Sequence, residues 1–354
     1  MASTPWSPAA TSRLRSMLAL LLGAVAMAPP SSVKEAAVPA GTARDVSRVN
    51  RQGPFVGVVV PNGFEMEPLL RSPEFSPAKK LPYLDVAGRR FRFGTIANRK
   101  VIIVMTSLGM LNSGVTTQFL LTLFDVEGIV HFGIAGNADP NLRIGDVTVP
   151  RYWMHTGLWY WQRYGDGREK ELALESNGDS TRKYGALNFS DHTAGARKPA
   201  AGNLLNSVWY QPEEVFPADG TPESRRHVLW VPVDERYYGL SEKLEAMTTL
   251  ERCVNNGTSG TGLPRRPAVA RVERGCGASV FVDNAAYRQF LRSRFGVTAI
   301  DMETAAVALV ALSSPYGRSR TSPAVAPQGR TRPACTPRWR RRTQSLSPFA
   351  LYRC

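Results

Sequence analysis

Two short acidic stretches each follow a run of apolar residues, and their carboxylates are the groups best placed to do chemistry. Glu65 and Glu67 stand in "GFEME" after "FVGVVV", and Glu303 stands in "DME" after "GVTAI". A carboxylate can accept hydrogen bonds from two neighbouring hydroxyl groups of a ligand at once. Each of these side chains could instead stabilise the start of a helix, because a negative charge there interacts favourably with the helix dipole.

These residues depend on a framework in which apolar strands alternate with helices. The stretch 54–70 has the pattern of a buried strand, a Pro-Asn-Gly turn and the start of a helix. Val101–Met105 is another apolar run, and it leads through a glycine-containing turn into an apolar helix over 113–124. Strands recur within 128–150, and strand, helix, strand and helix follow one another within 275–312. The pattern predicts an α/β fold with a mixed central sheet flanked by helices on both faces.

The length and composition allow a single large domain. The chain has 354 residues, of which 43% are hydrophobic, and this is enough for one large domain or two modest ones. The stretch 151–270 is rich in Trp, Tyr and Pro, and we interpret it as loops around a few elements rather than as a second domain. Sheets of this class bind ligands beyond the carboxyl ends of their strands, where the polar turns of this sequence lie.

Three stretches, taken together, resemble a known family. They are "VVVPNGFEMEPLL", "HFGIAGNADPNLRIGDVTVP" and "GVTAIDMETAAVALV". Their order and spacing are similar to those of the nucleoside phosphorylase / nucleosidase superfamily, which includes the 5'-methylthioadenosine/S-adenosylhomocysteine nucleosidases. The resemblance covers residues 54–312 and is strongest to the plant branch, which contains bark and vegetative storage proteins. It implies a phosphorylase/hydrolase-like fold, a small-molecule nucleoside as partner, no cofactor, no metal, and a homo-oligomer.

The resemblance assigns roles to the carboxylates. It implies that Glu303 binds the 2′- and 3′-hydroxyls of a ribose and that Met302 lies against the sugar face. Glu67 matches the glutamate with which nucleosidases activate water, although Glu65 is a competing candidate. Phosphorolytic members carry a Gly-Asp-Pro…Arg pattern at this turn, and "PNGFEME" stands here instead, which favours water over phosphate as the nucleophile. The alternative for Glu67 is a solvated carboxylate at the start of a helix.

Small residues in two turns complete the sugar and base sites that the resemblance implies. In "TSLGMLNSG" we expect Ser107 and Gly109 to lie against the ribose or an anion, where backbone N–H groups can approach closely. An ordinary tight turn is the alternative. In "GIAGNADPN", Ala135 and Gly136 would leave room for a flat base, unless the glycine serves close packing between strands.

An aromatic residue completes the base site. Phe281 in "SVFVDN" matches the family position that stacks on the base, and Val282 would supply a backbone contact. The alternative is that Phe281 is an ordinary core residue, since buried aromatic side chains dominate the packing of protein cores.

The resemblance ends at Leu312, before a residue that the family uses. In members of the family another strand follows and ends in Ser-Asp, and that Asp protonates the departing base. A general acid of this kind contributes roughly 10²–10⁴-fold to the reaction rate. No Asp or Glu follows Glu303 in this sequence. The C-terminal strand and final helix of the fold are therefore expected to be missing. We interpret residues 313–354 as a disordered basic tail produced by a shifted reading frame, a retained intron or a mistaken gene model.

The positive charge of the chain is concentrated at its ends. The net charge is +15, but nine arginines and no acids lie in 315–354, and Arg13 and Arg15 lie near the N-terminus. The segment between the two ends is close to neutral, which predicts no binding to nucleic acid. The tail could touch an acidic partner, but a solvated, disordered segment is the simpler interpretation.

The N-terminus has the layout of a secretory signal peptide over 1–28, in which two arginines precede a short apolar run and an Ala-Met-Ala site. The run is too short for a membrane span, and a buried helix is the alternative. We interpret 29–53 as a linker. Glycosylation sequons begin at Asn188 and Asn256, and Cys253 and Cys276 are the candidate pair for a structural disulfide. These features predict an extracellular or vacuolar protein without a membrane anchor.

Two functions fit these observations. The first is cleavage of the N-glycosidic bond of a purine nucleoside or thionucleoside, impaired because the acidic residue is missing. The second is a secreted or vacuolar storage protein with a relic site. The carboxylates and Met302 favour the first function, whereas the signal peptide, the sequons and the missing acid favour the second.

Overall fold

The computed structural model describes residues 39–161, 186–188, 207–217, 221–247, 250, 263–314 and 320–327. The chain divides into one unit that ends at Arg44 and a second unit that begins at Asp45. Of the first unit, the structure describes only the residues from position 39, which begin a helix. The predicted signal peptide, the residues that follow 327, Asn256 and Cys253 lie outside the described residues.

The described residues form sixteen strands, which we number in chain order. They are β1 Phe55–Val60, β2 Phe75–Pro77, β3 Tyr83–Val86, β4 Arg89–Ile96, β5 Arg99–Met105, β6 Val126–Asn137, β7 Val147–His155, β8 Trp159–Trp161, β9 Ala186–Asn188, β10 Ser207–Tyr210, β11 Glu213–Val215, β12 Arg226–Val228, β13 Val231–Pro232, β14 Val269–Gly277, β15 Ala299–Asp301 and β16 Arg320–Pro327.

The same residues form six helices. They are α1 Ala40–Asn50, α2 Gly63–Leu70, α3 Met110–Leu123, α4 Glu235–Met247, α5 Ala285–Phe295 and α6 Thr304–Ser313. The sequence predicts a linker where α1 lies, and that prediction was wrong for 40–50. Val46 and Val49 of α1, three residues apart and therefore on one face of the helix, pack into the core.

Eleven strands join into one mixed sheet, and helices pack on both of its faces, as the sequence predicts. Every residue of β1 is buried, and β1 pairs in parallel with β5 on one side and with β6 on the other. Leu120 of α3 and Val307 of α6 pack in one core cluster with residues of these strands. Met66 and Leu69 of α2 pack in another. Apolar residues in unbroken runs thus form the strands that are covered on both sides.

Part of the sheet closes on itself as a ring. β6 pairs with β16, β16 with β7, β7 with β14, β14 with β15, and β15 again with β6. The ring brings the last residues of β14 and β15 side by side, with Gly277 opposite Asp301. The turn between β15 and α6, which carries Met302 and Glu303, is therefore anchored in the ring.

Strand β16 corrects the expectation that no strand follows α6. It runs parallel to β6 from Arg320, opposite Gly128, to Pro327, opposite Ala135. Its sequence, "RTSPAVAP", lacks an unbroken apolar run, which is why the pattern did not predict it. Strand pairing uses backbone groups, so an open edge of a sheet can accept a segment with little apolar pattern. Residues 315–319 and 328–354 of the tail lie outside the described residues, so the expected absence of the final helix stays a prediction.

Cys276 corrects the predicted disulfide. It is a free, fully buried thiol near the end of β14. Its side chain lies in the core cluster of Met154, Tyr210 and Leu291, and burial raises the pKa of the thiol. A cysteine enclosed in this way by apolar side chains behaves as a small core residue.

Within the described ranges, no helix combines the length and the apolar character that crossing a membrane requires.

Candidate active site

Glu65 lies in the third position of α2 and faces the sheet. The side-chain oxygen of Asn62 accepts hydrogen bonds from the backbone N–H groups of Phe64 (2.9 Å) and Glu65 (3.2 Å), which caps the helix. Glu65 is only 7% exposed, and its Oε1 accepts a hydrogen bond of 2.6 Å from the N–H of Ile134 in β6. Its Oε2 is buried and contacts no hydrogen-bond partner among the described residues.

Glycine in β6 makes room for this carboxylate. A Cβ atom at Gly133 would lie 3.1 Å from Oε1 of Glu65. Because that distance is tighter than ordinary van der Waals contact, a side chain there would push the carboxylate away from the strand.

Glu67, which the resemblance assigns as the water-activating glutamate, faces solvent and not the sheet. Its side chain is 57% exposed and forms an ion pair of 2.6 Å with Arg71. Two residues along an α-helix differ in direction by about 200°, so Glu65 and Glu67 lie on opposite faces. The solvated carboxylate, given above as the alternative for Glu67, is what the structure contains. The glutamate that faces the sheet is the competing candidate, Glu65.

Glu303 lies at the start of α6 but does not cap it, because its side chain forms no capping hydrogen bond. The residue is 4% exposed. Its Oε1 accepts a hydrogen bond of 2.8 Å from the N–H of Gly109, and its Oε2 accepts one of 3.2 Å from the N–H of Met302. A carboxylate oxygen has two acceptor sites, so each oxygen keeps one for a ligand hydroxyl.

The turn before α3 is shaped to reach Glu303. Ser107 and Gly109 both have positive φ angles, of 72° and 92°, which lets the chain turn sharply. Ser107 is exposed, whereas the N–H of Gly109 is occupied by Glu303. Ser279, which the sequence did not single out, accepts a hydrogen bond of 3.0 Å from the N–H of Met110. This bond ties the loop after β14 to the same turn.

Three carboxyl groups influence one another in this region. Burial, followed by the nearby charge of Glu303, raises the pKa of Glu65 from 4.5 to about 7. Burial and the same charge raise the pKa of Asp301 from 3.8 to about 8. Burial also raises the pKa of Glu303 itself. The acids of "GFEME" and "DME" therefore lie close enough to interact electrostatically, and the residue of the first stretch that does so is Glu65.

The residues predicted to contact the base differ from one another in how deeply they are buried. Phe281 is 70% exposed, so it is not the core aromatic given as its alternative. Val282 is half-buried and packs against the cluster that holds Cys276. Ala135 is buried in the core, and Gly136 pairs with Ile300 of β15. A Cβ atom at Gly136 would lie 3.5 Å from the carbonyl oxygen of Ile300, an ordinary contact, so close strand packing does not require this glycine.

Asn62 is the signal in the sequence that would have distinguished Glu65 from Glu67. Asn followed three residues later by Glu has the spacing of a capping box, which marks the start of a helix. From that start, Glu65 shares a face with the buried residues Met66 and Leu69. Glu67 falls on the opposite face.

His, Cys, Asp and Glu residues do not gather into a possible metal site anywhere in the described parts of the chain.

Comparison with known proteins places the chain in a family. The profile of the Phosphorylase superfamily matches residues 55–314, well over half of the chain. Bark storage protein A of Populus deltoides is 28% identical over 241 residues, which are 68% of this chain and 69% of that protein. The 5'-methylthioadenosine/S-adenosylhomocysteine nucleosidase of Marinomonas sp. is 33% identical over 80 residues, which are 21% of this chain and 35% of that protein.

Solved structures are similar at lower identity. The MTA/SAH nucleosidase of Streptococcus pneumoniae, in complex with 8-aminoadenine, is 16% identical with a TM-score of 0.47, over 77% of this chain and 84% of that one. Futalosine hydrolase of Helicobacter pylori is 16% identical with a TM-score of 0.46, over 77% of this chain and 86% of that one. By the match of the family profile over most of its folded part, this chain belongs to the Phosphorylase superfamily.

Proposed function

We propose that the chain binds a purine nucleoside or thionucleoside between Glu65 and Glu303 and cleaves its N-glycosidic bond with water. The observation that carries this proposal is the state of Glu65. Its pKa is raised to about 7, and its buried Oε2 has no partner among the described residues. A general base works best when its pKa is close to the operating pH.

Glu303 is the proposed ribose ligand. Its two oxygens are held by backbone N–H groups on different segments, which fixes the plane of the carboxylate. The remaining acceptor sites suit the 2′- and 3′-hydroxyls, with Met302 against the sugar face. The negative charge of Glu303 would also stabilise the positive charge that develops on the sugar as the bond to the base breaks.

In the proposed reaction Glu65 removes a proton from a water molecule, and the water oxygen bonds to C1′ of the sugar. The C1′–N bond breaks and its electron pair leaves with the base, which takes a proton from solvent water. Phe281 would stack on the base, and Val282 would supply a backbone contact to it. Ala135 and Gly136 would border the base. Ser107 and Gly109 would border the sugar. Phosphate as the attacking group is the less favoured version.

Protonation of the leaving base is the weak step. No residue after Glu303 is acidic, and β16 ends at Pro327, opposite Ala135, without an acidic residue along its length. A general acid typically contributes about 10²–10⁴-fold to the rate. We therefore expect slow turnover.

The test is release of free base from a purine thionucleoside by the full-length chain, followed by chromatography during long incubations. We expect slow release in proportion to protein concentration. Glu65→Gln should reduce it by roughly 10²-fold or more, the usual size of a general-base contribution. Glu67→Gln is the matched control, because Glu67 lies on the same helix and its side chain is exposed and paired with Arg71. Release should be unchanged in this variant.

Release that depends equally on both glutamates, or that is unaffected by Glu65→Gln, would rule out the proposed role of Glu65. Absence of release from every variant would favour the second candidate. Dependence of the rate on added phosphate would favour phosphorolysis.

The second candidate function is storage. The similarity to Bark storage proteins A and B, at 28% and 27% identity over 241 residues, favours it, as does the missing acid. Thermal unfolding with and without adenine distinguishes the two, because a ligand stabilises only a folded protein that binds it. A working base pocket should raise the Tm with adenine, whereas a relic site should leave it unchanged.

We also propose passage through the secretory pathway, to an extracellular or vacuolar destination, and assembly as a homo-oligomer that binds neither nucleic acid nor membrane. The predicted signal peptide and sequons support the first part. Sequencing the N-terminus of the mature protein tests it, since cleavage near residue 28 is the expected result.

A further inference from the structure

A network of three buried polar side chains, joined by hydrogen bonds, lies next to Glu303. The hydroxyl of Thr304 is hydrogen-bonded both to Oδ2 of Asp301 and, at 2.8 Å, to Nδ1 of His131 in β6. Oδ1 of Asp301 accepts hydrogen bonds from the N–H groups of Glu303 (3.3 Å) and Thr304 (3.2 Å). All three side chains are buried.

A polar network of this kind costs folding free energy when it is buried in a protein interior. Burial lowers the pKa of His131 to about 3, so its ring is neutral, and its Nε2 has no hydrogen-bond partner among the described residues. Buried polar groups that are only partly satisfied destabilise a fold, and an apolar substitute at such a site is often neutral or better. Packing alone therefore does not account for these residues.

The polar network links the turn that carries Glu303 to the centre of the sheet. Asp301 closes the turn by accepting the N–H groups of the next residues, and Thr304 ties Asp301 to His131 on a strand that pairs with β1. Gly277 leaves the space that Asp301 occupies, because a Cβ there would lie 2.7 Å from Oδ1. From this anchored turn the carboxylate of Glu303 reaches Gly109, 194 residues away in the sequence.

We propose that Asp301, Thr304 and His131 are positioning residues, which hold the carboxylate of Glu303 in the orientation that binds the sugar of a nucleoside. This inference rests on the proposed function, because it concerns the same ligand. The three residues act through Glu303 and touch no ligand themselves. Affinity for a nucleoside should depend on them, whereas affinity for a free base, which has no hydroxyls for Glu303, should not.

Thr304→Val tests the proposal, because it keeps the shape of the side chain and removes the hydroxyl that links Asp301 to His131. Calorimetric titration should show nucleoside binding weakened by about tenfold or more, the size expected when a charged hydrogen-bonding group loses its orientation. Binding of adenine should stay within about twofold. Thr304→Ser restores the hydroxyl and should restore nucleoside binding.

Thr117→Val is the matched control. Thr117 is a buried threonine of α3 whose hydroxyl has no hydrogen-bond partner among the described residues. The same substitution there should leave both affinities unchanged. Equal loss of nucleoside and adenine binding in Thr304→Val would indicate general damage and overturn the proposal, as would unchanged nucleoside binding.

Amide hydrogen exchange at Gly109 measures the position of Glu303 without a ligand. Its N–H donates to Glu303, so Thr304→Val should speed its exchange by about tenfold, whereas Thr117→Val should not. Unchanged exchange overturns the positioning role, even if nucleosides bind. Faster exchange in a chain that binds no nucleoside would confirm the hold on Glu303 and contradict the proposed function instead.

Discussion

Burial is the main reason why Glu65 holds a proton near neutral pH. The neighbouring charge of Glu303 adds to this effect, and the hydrogen bond from Ile134 opposes it. A carboxyl group with a pKa of about 7 can exchange a proton at physiological pH. The environment of the residue, and not its type, therefore sets this pKa.

The rate of base release should rise with pH through about 7, because Glu65 acts in its deprotonated form and its pKa lies there. The rate should rise about tenfold per pH unit below that pKa and level off above it. The measurement is the pH profile of kcat/KM for thionucleoside cleavage. A rate that falls as pH rises from 5 to 7 would contradict the assignment of Glu65 as the base.

The stability of the protein should also change with pH through Glu65. The pKa of Glu65 is raised on folding, from 4.5 to about 7, so the folded chain holds the proton more tightly. The stabilising contribution of protonated Glu65 to the free energy of unfolding is fully present below pH 4.5 and is lost as pH rises to about 7. The loss is on the order of 3 kcal/mol. Urea unfolding of the native chain and Glu65→Gln should show stabilities that diverge over this range, with the native chain losing more as pH rises.

A difference between the two proteins that is constant with pH would contradict this linkage. Glu67→Gln provides the control, since the pH dependence of its stability should match that of the native chain.

At the scale of elements, helix α2 places Glu65 through its cap. Asn62→Ala removes the two hydrogen bonds that begin the helix and should cost about 1 kcal/mol. It should also lower base release, because Glu65 is the third residue of the helix. The measurements are urea unfolding and base release on the same samples.

A second cap gives the control. Oδ1 of Asp234 accepts a hydrogen bond of 3.0 Å from the N–H of Tyr237 at the start of α4, which carries none of the site residues. Asp234→Ala should cost a similar amount of stability and leave base release unchanged. Equal loss of activity in the two variants would mean that stability, not the placement of Glu65, sets the rate.

Strand β16 is the element that local patterns missed. Its backbone pairs with β6 from Gly128 to Ala135. A chain truncated after Ser314 should therefore show faster amide exchange in β6, because that edge loses its partner. Exchange in β5, which pairs with β1 and β4, should change little. Unchanged protection in β6 would contradict the pairing.

At the scale of the whole molecule, the sequence predicts the fold better than it predicts the site. Strand β1 is an unbroken apolar run, β5 contains one over 101–105, and β6 is mostly apolar. Burial on both faces is typical of strands with this composition. Glu303 could be placed because it directly follows such a strand. Glu65 and Glu67 could not be separated without the phase of the helix, which depends on where Asn62 begins it.

The pairing of distant segments accounts for the rest of the difference. The position of β16 depends on its pairing with β6, and the burial of Cys276 depends on core residues such as Met154. Both involve segments far away in the sequence, which no local pattern encodes. The polar network of His131, Thr304 and Asp301 likewise joins distant residues, since His131 and Thr304 are 173 positions apart. Such features become visible only when the whole sheet is assembled.

Calorimetric titration with a purine ribonucleoside and its 2′-deoxy analogue tests the central claim most directly, because the claim is that Glu303 and Glu65 form one sugar-binding cleft. The native chain and Glu67→Gln should both bind the ribonucleoside more tightly, by about tenfold. Glu303→Gln should lose most of that preference, because a neutral amide has a single acceptor oxygen. Equal affinity of the native chain for the two ligands, or a preference that survives in Glu303→Gln, would contradict the account.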